Sequence, residues 1–346
     1  MKIWILGDTH LGYKNDDEET SKKMTDYLSF VIDTINELAD KDDIFIQLGD
    51  FFDRRTNIGT SIIKTAIELL KDIKIDTYIL VGNHDTVKND DHTLISTEFL
   101  KYVSSKIHIV KEPTVLLTAD DKKMLLMPYY TAKTAKEIFN NMTDEYDCMF
   151  THLDFTGLKM NKYQLSDTCL DTKNLKVKKI FNGHIHLTQI KDNIINVGSA
   201  YELTIADEDN QKNLLIYDTI SDEVQFIKNT ISPRHIRIKY SDIDNIKKED
   251  IKDNIIILEI KNSDITNIDN NKLTELGKIA YKVRTVLIED DKEVKKKQTE
   301  ESAKQMTFYD KVDTYINELV QSEIYEKEDA EKISKILKDT YTAVNS

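Results

Sequence analysis

Proline is almost missing from this chain, with three residues in 346, and glycine is scarce at nine. So little of either excludes a collagen-like repeat or a Gly/Pro-rich low-complexity chain, and it makes the position of each glycine informative. Cysteine appears twice, as Cys148 and Cys169. That is too few for the disulfide framework of a small secreted domain, so buried or half-buried thiols are expected. Long hydrophobic runs are absent as well. Ile3-Trp4-Ile5-Leu6 is too short for a signal peptide, and nothing approaches the length of a membrane span. A soluble, cytoplasmic protein with no membrane partner is expected. Positive charge is in deficit: 48 Lys and Arg stand against 62 Asp and Glu, a net charge of −14. Such a chain does not hold nucleic acid through overall charge. A nucleic-acid function would need a local basic patch, a metal centre or a basic partner. What is present is 40% apolar residues, enough for a real core, in a length of roughly two domains at about 150 residues each.

Organisation follows from hydrophobic spacing. Strands are expected over 2–6, 43–48 and 76–81, with helices over 22–39 and 61–72 between them. In the first helix Met24, Leu28, Val31, Ile32, Ile35 and Leu38 share a face. This βαβαβ alternation argues for an α/β layered fold whose strands end in functional loops. Further strands at 124–127, 147–151, 177–181, 194–197 and 214–217 come without long helices between several of them, which suggests a second sheet packed on the first. Composition changes after about Asn229. Strands at 236–240, 254–260 and 282–288 and a helix near 268–280 suit a small α/β module. The stretch 291–304 reads as a charged linker. Two amphipathic helices follow, with Tyr309, Val312, Ile316, Leu319 and Val320 on one face and Ile333, Ile336, Leu337, Thr340, Tyr341 and Val344 on another.

Five short segments carry the chemistry. They are Gly7-Asp8-Thr9-His10-Leu11-Gly12, Gly49-Asp50-Phe51-Phe52-Asp53, Val81-Gly82-Asn83-His84-Asp85, Thr151-His152 and Gly183-His184-Ile185-His186. Each follows an expected strand, where an α/β sheet places its ligands. Seven of the nine glycines and five of the eight histidines lie in or near these segments. Singly, each has an ordinary reading: Gly-Asp and Asn-His are common turns, and a histidine at a strand end is more often a satisfied core residue. Jointly they supply Asp, Asn and His donors suited to Mn, Fe or Zn, and the absence of cysteine ligands argues against a structural zinc site. A carboxylate can bridge two cations roughly 3.5–4 Å apart. The remaining histidines look structural or surface-bound: His92 at a helix start, His108 in a short apolar run, His235 at the start of the small module.

The ordered set Asp-x-His, Gly-Asp-x-x-Asp, Gly-Asn-His-Asp, His and Gly-His-x-His resembles the calcineurin-like metallophosphoesterase superfamily over roughly residues 1–220. Asp8-Thr9-His10-Leu11-Gly12 looks like the first motif of the SbcD-type DNA repair nucleases, and the compact length is most like the bacteriophage members of that group. The resemblance implies a two-sheet sandwich flanked by helices, with a metallophosphoesterase domain at 1–232, a small DNA-binding capping module at 233–290, the linker at 291–304 and a partner-binding tail at 305–346. It implies that Asp8, His10 and His186 hold one divalent metal ion, that Asn83, His152 and His184 hold a second, and that Asp50 bridges them. His84 would face the scissile phosphate as a catalytic residue. Manganese would be the activating ion, with magnesium as the alternative. The expected activity is DNA exo- and endonuclease in recombination and repair. The expected partners are DNA, a coiled-coil ABC-type ATPase bound through the C-terminal helices, and a second copy of the chain. Some members of the family carry histidine where this chain has Asp53, so no role transfers to that residue.

Two other readings stand beside this one. A small-substrate phosphoesterase of the same superfamily explains the motifs and the acidity, but not the extra module and tail. A metal-free scaffold would have lost ligands, and none is missing. Basic clusters at Lys173, Lys176, Lys178 and Lys179, and at Lys292, Lys295, Lys296 and Lys297, are candidates for DNA contact or plain solvated charge. Arg54 and Arg55 could reach phosphate or pair with Asp53.

Overall fold

The structure is a computed structural model that describes residues 1–13, 18–118, 120–161, 164–168, 170–173 and 175–289, with 332, 334 and 335. Met1–Ile288 forms one compact unit and Glu289–Ser346 a second. The expected linker and two-helix tail, the lysine cluster at 292–297 and Cys169 lie outside the described residues, apart from Lys332, Ser334 and Lys335.

The chain begins with β1 (Lys2–Leu6), α1 (Glu18–Leu38), β2 (Ile44–Gln47), α2 (Thr60–Leu70) and β3 (Asp76–Leu80). A short hairpin of β4 (Thr86–Lys88) and β5 (Asp91–Ile95) comes next, then β6 (Ile107–Val110) and β7 (Thr114–Leu117). After β8 (Lys123–Met127) come α3 (Ala132–Asn140), β9 (Tyr146–Thr151), β10 (Val177–Asn182), β11 (Gln189–Lys191) and β12 (Ile194–Asn196). The pair β13 (Asn213–Asp218) and β14 (Val224–Lys228) precedes β15 (His235–Lys239), α4 (Lys248–Ile251), β16 (Ile255–Lys261), α5 (Asn270–Ile279) and β17 (Lys282–Ile288).

Two six-stranded sheets form the main body, in the orders β14-β13-β1-β2-β3-β6 and β11-β12-β10-β9-β8-β7. In the first, β1, β2, β3 and β6 run parallel while β13 and β14 pair antiparallel; in the second, β12, β10, β9 and β8 run parallel while the edge strands β11 and β7 pair antiparallel. Parallel strands covered on both faces read as continuous apolar runs, which is why KIWIL and IFIQ bury nearly every side chain. Alternation divides β1 cleanly. Ile3 and Ile5 enter the core between the sheets with Ile46, Leu80, Phe150 and Phe181. Trp4 and Leu6 pack outward against Tyr27, Val31 and Ile35 of α1 and Ile62 and Ala66 of α2. The outer face of the second sheet buries Leu125, Met149 and Ile180 with Ala135 of α3. The result is an α/β four-layer sandwich, the class the sequence implies. Leu38 departs from the expected helix face: it is 56% exposed, at the end of α1.

A separate three-stranded parallel sheet, β15-β16-β17, has its own core of Ile238, Ile256, Leu258, Ile260 and Leu276. His235 opens it, buried against Glu202 of the main body. His92 does not start a helix. It lies in β5, where Thr86 Oγ1 donates to Asp91 O and the Asp91 carboxylate accepts from Thr93 N. Asp91 closes a hairpin turn rather than capping a helix. Among the described residues, no helix is long and apolar enough to cross a membrane.

Candidate metal centre

The loops leaving the carboxyl ends of β1, β2, β3, β9 and β10 converge on one point, and each carries one of the five motifs. Two hydrogen bonds lock the first pair of loops, from Thr9 N and His10 N to Asp50 O at 3.1 and 2.9 Å. His10, Asp50 and His184 have positive φ, at 40°, 50° and 70°. That conformation is uncommon for residues with a side chain and tends to gather where function requires it; here it turns three side chains inward. Glycine supplies the closeness. A Cβ on Gly82 would overlap the Asp50 carboxyl, and one on Gly7 would overlap the Gly198 carbonyl.

Seven expected donors come together. His10 Nε2 lies 3.2 Å from His186 Nε2 and 3.6 Å from Asp50 Oδ2. His186 Nε2 lies 3.9 Å from Asp8 Oδ2. On the other side His152 Nε2 is 3.2 Å from Asp50 Oδ2 and 3.0 Å from Asn83 Oδ1. Asn83 Oδ1 is 2.8 Å from His184 Nδ1. The donors therefore form two sets that meet at Asp50. Asp8, His10, Asp50 and His152 are buried, while Asn83, His84, His184 and His186 form a half-open rim.

Electrostatics favours positive charge at this point. Burial lowers the His152 imidazole, yet the Asp50 and Asp8 carboxylates outweigh it and push the group up to about 9. Burial opposes His10 in the same way, and Asp53 and Asp50 raise it. Burial pushes Asp50 up, but His152, His10 and His84 hold its carboxyl well below the usual range. His184 is lowered to about 3, by burial and then by His152, and burial also lowers His186. Protons do not satisfy the cluster. Asp8 Oδ2 is buried with no hydrogen-bond partner, and a buried orphan oxygen calls for an ion or water. The donor set of carboxylate, carboxamide and imidazole fits divalent cations.

His84 sits beside these sets. Its backbone N donates to Asp50 Oδ1 at 2.7 Å, its Nδ1 lies 2.8 Å from Asp53 O, and its ring meets His10 edge-on at 4.7 Å. The sequence leaves the roles of Asp53 and Asp85 open. Asp53 Oδ1 lies 3.3 Å from His10 Nδ1, close enough for its charge to favour the protonated imidazole. The fully buried Asp85 carboxylate accepts from Gly82 N, Phe51 N and Phe52 N, tying the second and third loops together. Burial and the nearby Asp50 charge raise it to about 7 despite those bonds. Both residues occur inside the motifs, so their position was the available signal.

Three of the four lysines before the Gly-His-x-His turn are ion-paired. Lys176, Lys178 and Lys179 pair with Glu145, Asp147 and Asp222 at 3.8, 2.7 and 2.7 Å. A cavity of about 200 Å³ opens beside His184 and His186, lined also by Met160, Thr204 and Asp207. A larger one, about 540 Å³, lies between 202–212 and 229–237. The donors, rather than the larger hollow, locate the chemistry.

Sheets that deliver convergent Asp, Asn and His donors from strand ends define a hydrolase built around divalent cations. Residues 1–188 match the family model described as calcineurin-like phosphoesterase. The chain is 31% identical over 298 residues to exonuclease subunit 1 of Enterobacteria phage T4, a span covering 83% of this chain and 84% of that one. Among solved structures it is similar to an archaeal phosphodiesterase, with 16% identity and a TM-score of 0.37 over 66% of this chain and 100% of that one. It is also similar to the 5′-nucleotidase precursor from Thermus thermophilus, with 12% identity and a TM-score of 0.35 over 68% of this chain and 56% of that one. The chain belongs to the calcineurin-like phosphoesterase family and is a metal-dependent hydrolase of phosphate esters.

Proposed function

We propose that the chain is a manganese-dependent DNA exonuclease and endonuclease, acting as the nuclease subunit of an ATPase–nuclease complex that processes DNA ends in recombination and repair. The observation that carries this reading is the position of Asp50 Oδ2, within 3.6 Å of His10 Nε2 and 3.2 Å of His152 Nε2, so that one carboxylate serves both donor sets. Asp8, His10 and His186 hold one cation; Asn83, His152 and His184 hold the other. Cations bound there supply Lewis acidity and charge neutralisation at a phosphodiester. The remaining work falls to protein groups. Asp53 holds His84 by its carbonyl and sets its carboxylate 3.3 Å from His10 Nδ1, leaving His84 Nε2 as the end of that ring to meet the scissile phosphate. Asp85 keeps the two loops in register.

The similarity to a phage exonuclease subunit supports DNA as substrate and a second subunit as partner. The module at 233–290 would cap the DNA, and the helices at 305–346 would dock on the coiled coil of an ABC-type ATPase, in a complex where the nuclease dimerises. A small-substrate phosphoesterase is the second reading, favoured by the net charge of −14 and by the ion-paired lysines. To separate them, the full-length chain is incubated with manganese and end-labelled linear or hairpin DNA, and in parallel with mononucleotides. Cleavage of DNA that stops in excess chelator and returns with manganese is the expected result. Hydrolysis confined to mononucleotides overturns the nuclease reading, and undiminished cleavage after exhaustive chelation overturns the metal mechanism.

A further inference from the structure

The turn that presents His186 is held from beneath by a group no motif contains. Lys212, at the entry to β13, is 3% exposed. Its Nζ donates to His186 O at 2.6 Å, to Asp207 Oδ1 at 3.0 Å and to Asn210 Oδ1 at 3.2 Å. Asp207, 2% exposed, is fixed by Leu203 N and Thr204 N on its other oxygen. Asn210 grips the same turn two residues on, accepting from Thr188 N at 2.8 Å and donating to Thr188 O at 3.1 Å. Ser199 N makes a further bond to His186 O at 3.1 Å.

An ammonium taken out of water is costly, and a buried ion pair is often no more stabilising than apolar residues of the same volume. Stability alone therefore gives no reason for a lysine here. Beyond Asp207 and Asn210, the ammonium reaches the carbonyl of an expected metal ligand. His184 is held differently: its backbone N donates to Asp8 Oδ1 at 3.1 Å, and its ring meets Asn83.

We propose that Lys212 is a positioning residue for His186, fixing through the His186 carbonyl the angle at which that imidazole meets the cation it shares with Asp8 and His10. The inference rests on the two-cation reading. It makes the sites separable: loss of the Lys212 bond weakens the site of Asp8, His10 and His186, and leaves the site of Asn83, His152 and His184 as it was.

The test compares Lys212→Met with Lys212→Gln in the full chain. Both remove the charge beside Asp207, but only glutamine keeps an N–H donor for the carbonyl. Manganese chloride is titrated calorimetrically into the chelator-treated proteins, and melting temperatures are recorded without metal. Outer-shell partners typically contribute about 10–100-fold to metal affinity. The methionine variant is expected to bind one of two manganese ions at least about 10-fold more weakly, the glutamine variant to recover most of that loss at a similar melting temperature, and the second ion to be unaffected in both. Where the orphaned Asp207 charge prevents folding, Asp207→Asn is added to each variant and the same comparison is read. Two ions at wild-type affinity in the methionine variant overturn the inference while the two-cation reading stands. Equal weakening of both ions with a lowered melting temperature also overturns it, in favour of a general structural role. Wild-type protein that takes up fewer than two manganese ions overturns the two-cation reading and the inference with it.

Discussion

At the scale of single residues, His84 is the sharpest case. Its ring is fixed at Nδ1 by a backbone carbonyl and adjoins His10, and with His10 and Asp53 it makes a third cluster of possible ligands beside the two sets that share Asp50. A group acting mainly in the transition state affects kcat more than binding. His84→Ala is expected to keep two manganese ions and DNA affinity while losing about 10²-fold or more in kcat, the scale of acid–base assistance; loss of bound metal in that variant would reassign the residue to structure. Cys148 makes the opposite point. Burial in the core between the sheets pushes its thiol up to about 12, so the reactive thiolate is scarce near neutral pH. Its neutral form dominates at every pH below that value, and raising pH from 7 to 9 should leave it silent. Mass spectrometry after iodoacetamide is expected to find Cys148 unmodified in native protein and modified in denaturant. Prompt native labelling would contradict its burial. The seven expected ligands stand out in sequence because they lie in short motifs at strand ends, six of them beside a scarce glycine and His152 the exception. Lys212 was not, because it acts through a backbone carbonyl 26 residues away in sequence, a relation no local pattern records.

At the scale of elements, legibility followed burial on two faces. The strands β1, β2 and β3 announce themselves as apolar runs because helices and a second sheet cover them. The hairpin β4–β5 does not. Asp-His-Thr-Leu-Ile leaves Leu94 66% exposed, so neither a strand alternation nor a buried run is visible, and Asp90-Asp91 before His92 resembles a helix start instead. The lysines before the Gly-His-x-His turn stay open in sequence between DNA contact and solvated charge, because the carboxylate partners of three of them, at 145, 147 and 222, are distant in sequence. In α5, Gly277 is exposed, has helical backbone and has no heavy atom within 4 Å of where a Cβ would stand. Glycine in such a position costs roughly 0.5–1 kcal/mol relative to alanine. Gly277→Ala is expected to raise stability by about that amount, seen as a higher urea midpoint at unchanged slope. A lower midpoint would contradict the prediction, and an unchanged one would mean that α5 does not unfold with the transition being measured.

At the scale of the whole molecule, the compact unit ends at Ile288, and the segments that the sequence assigns to partner binding follow it. A chain ending near Glu301 is expected to fold and to cut single-stranded DNA with manganese, yet to fail to co-purify with the ATPase and to lose ATP-stimulated digestion of duplex ends. Capture of the ATPase at full affinity by that shorter chain would move the docking surface to the module at 233–290. The main body carries a different constraint, set by the central place of β1. Its neighbours are β2 on one side and β13 on the other, and the register sets Lys2 opposite Asp218. Ala200 N also donates to Asp8 O at 2.8 Å, so the first ligand loop is closed by a residue from nearly 200 positions later. Contacts of such long sequence separation form late. During synthesis, the first motifs leave the ribosome long before the strand that completes their sheet, and the ligands at 152, 184 and 186 arrive in between. The ligand loops are thus expected to reach their folded arrangement only when most of the chain has been made, and an interrupted translation product is expected to lack hydrolytic activity. Ribosome-arrested chains ending before Asn213 are expected to remain protease-sensitive and to retain no manganese, whereas chains exposed beyond Lys228 acquire both protease resistance and metal. Stable metal uptake by the shorter chains would show that β1 and its loop reach their final geometry without β13.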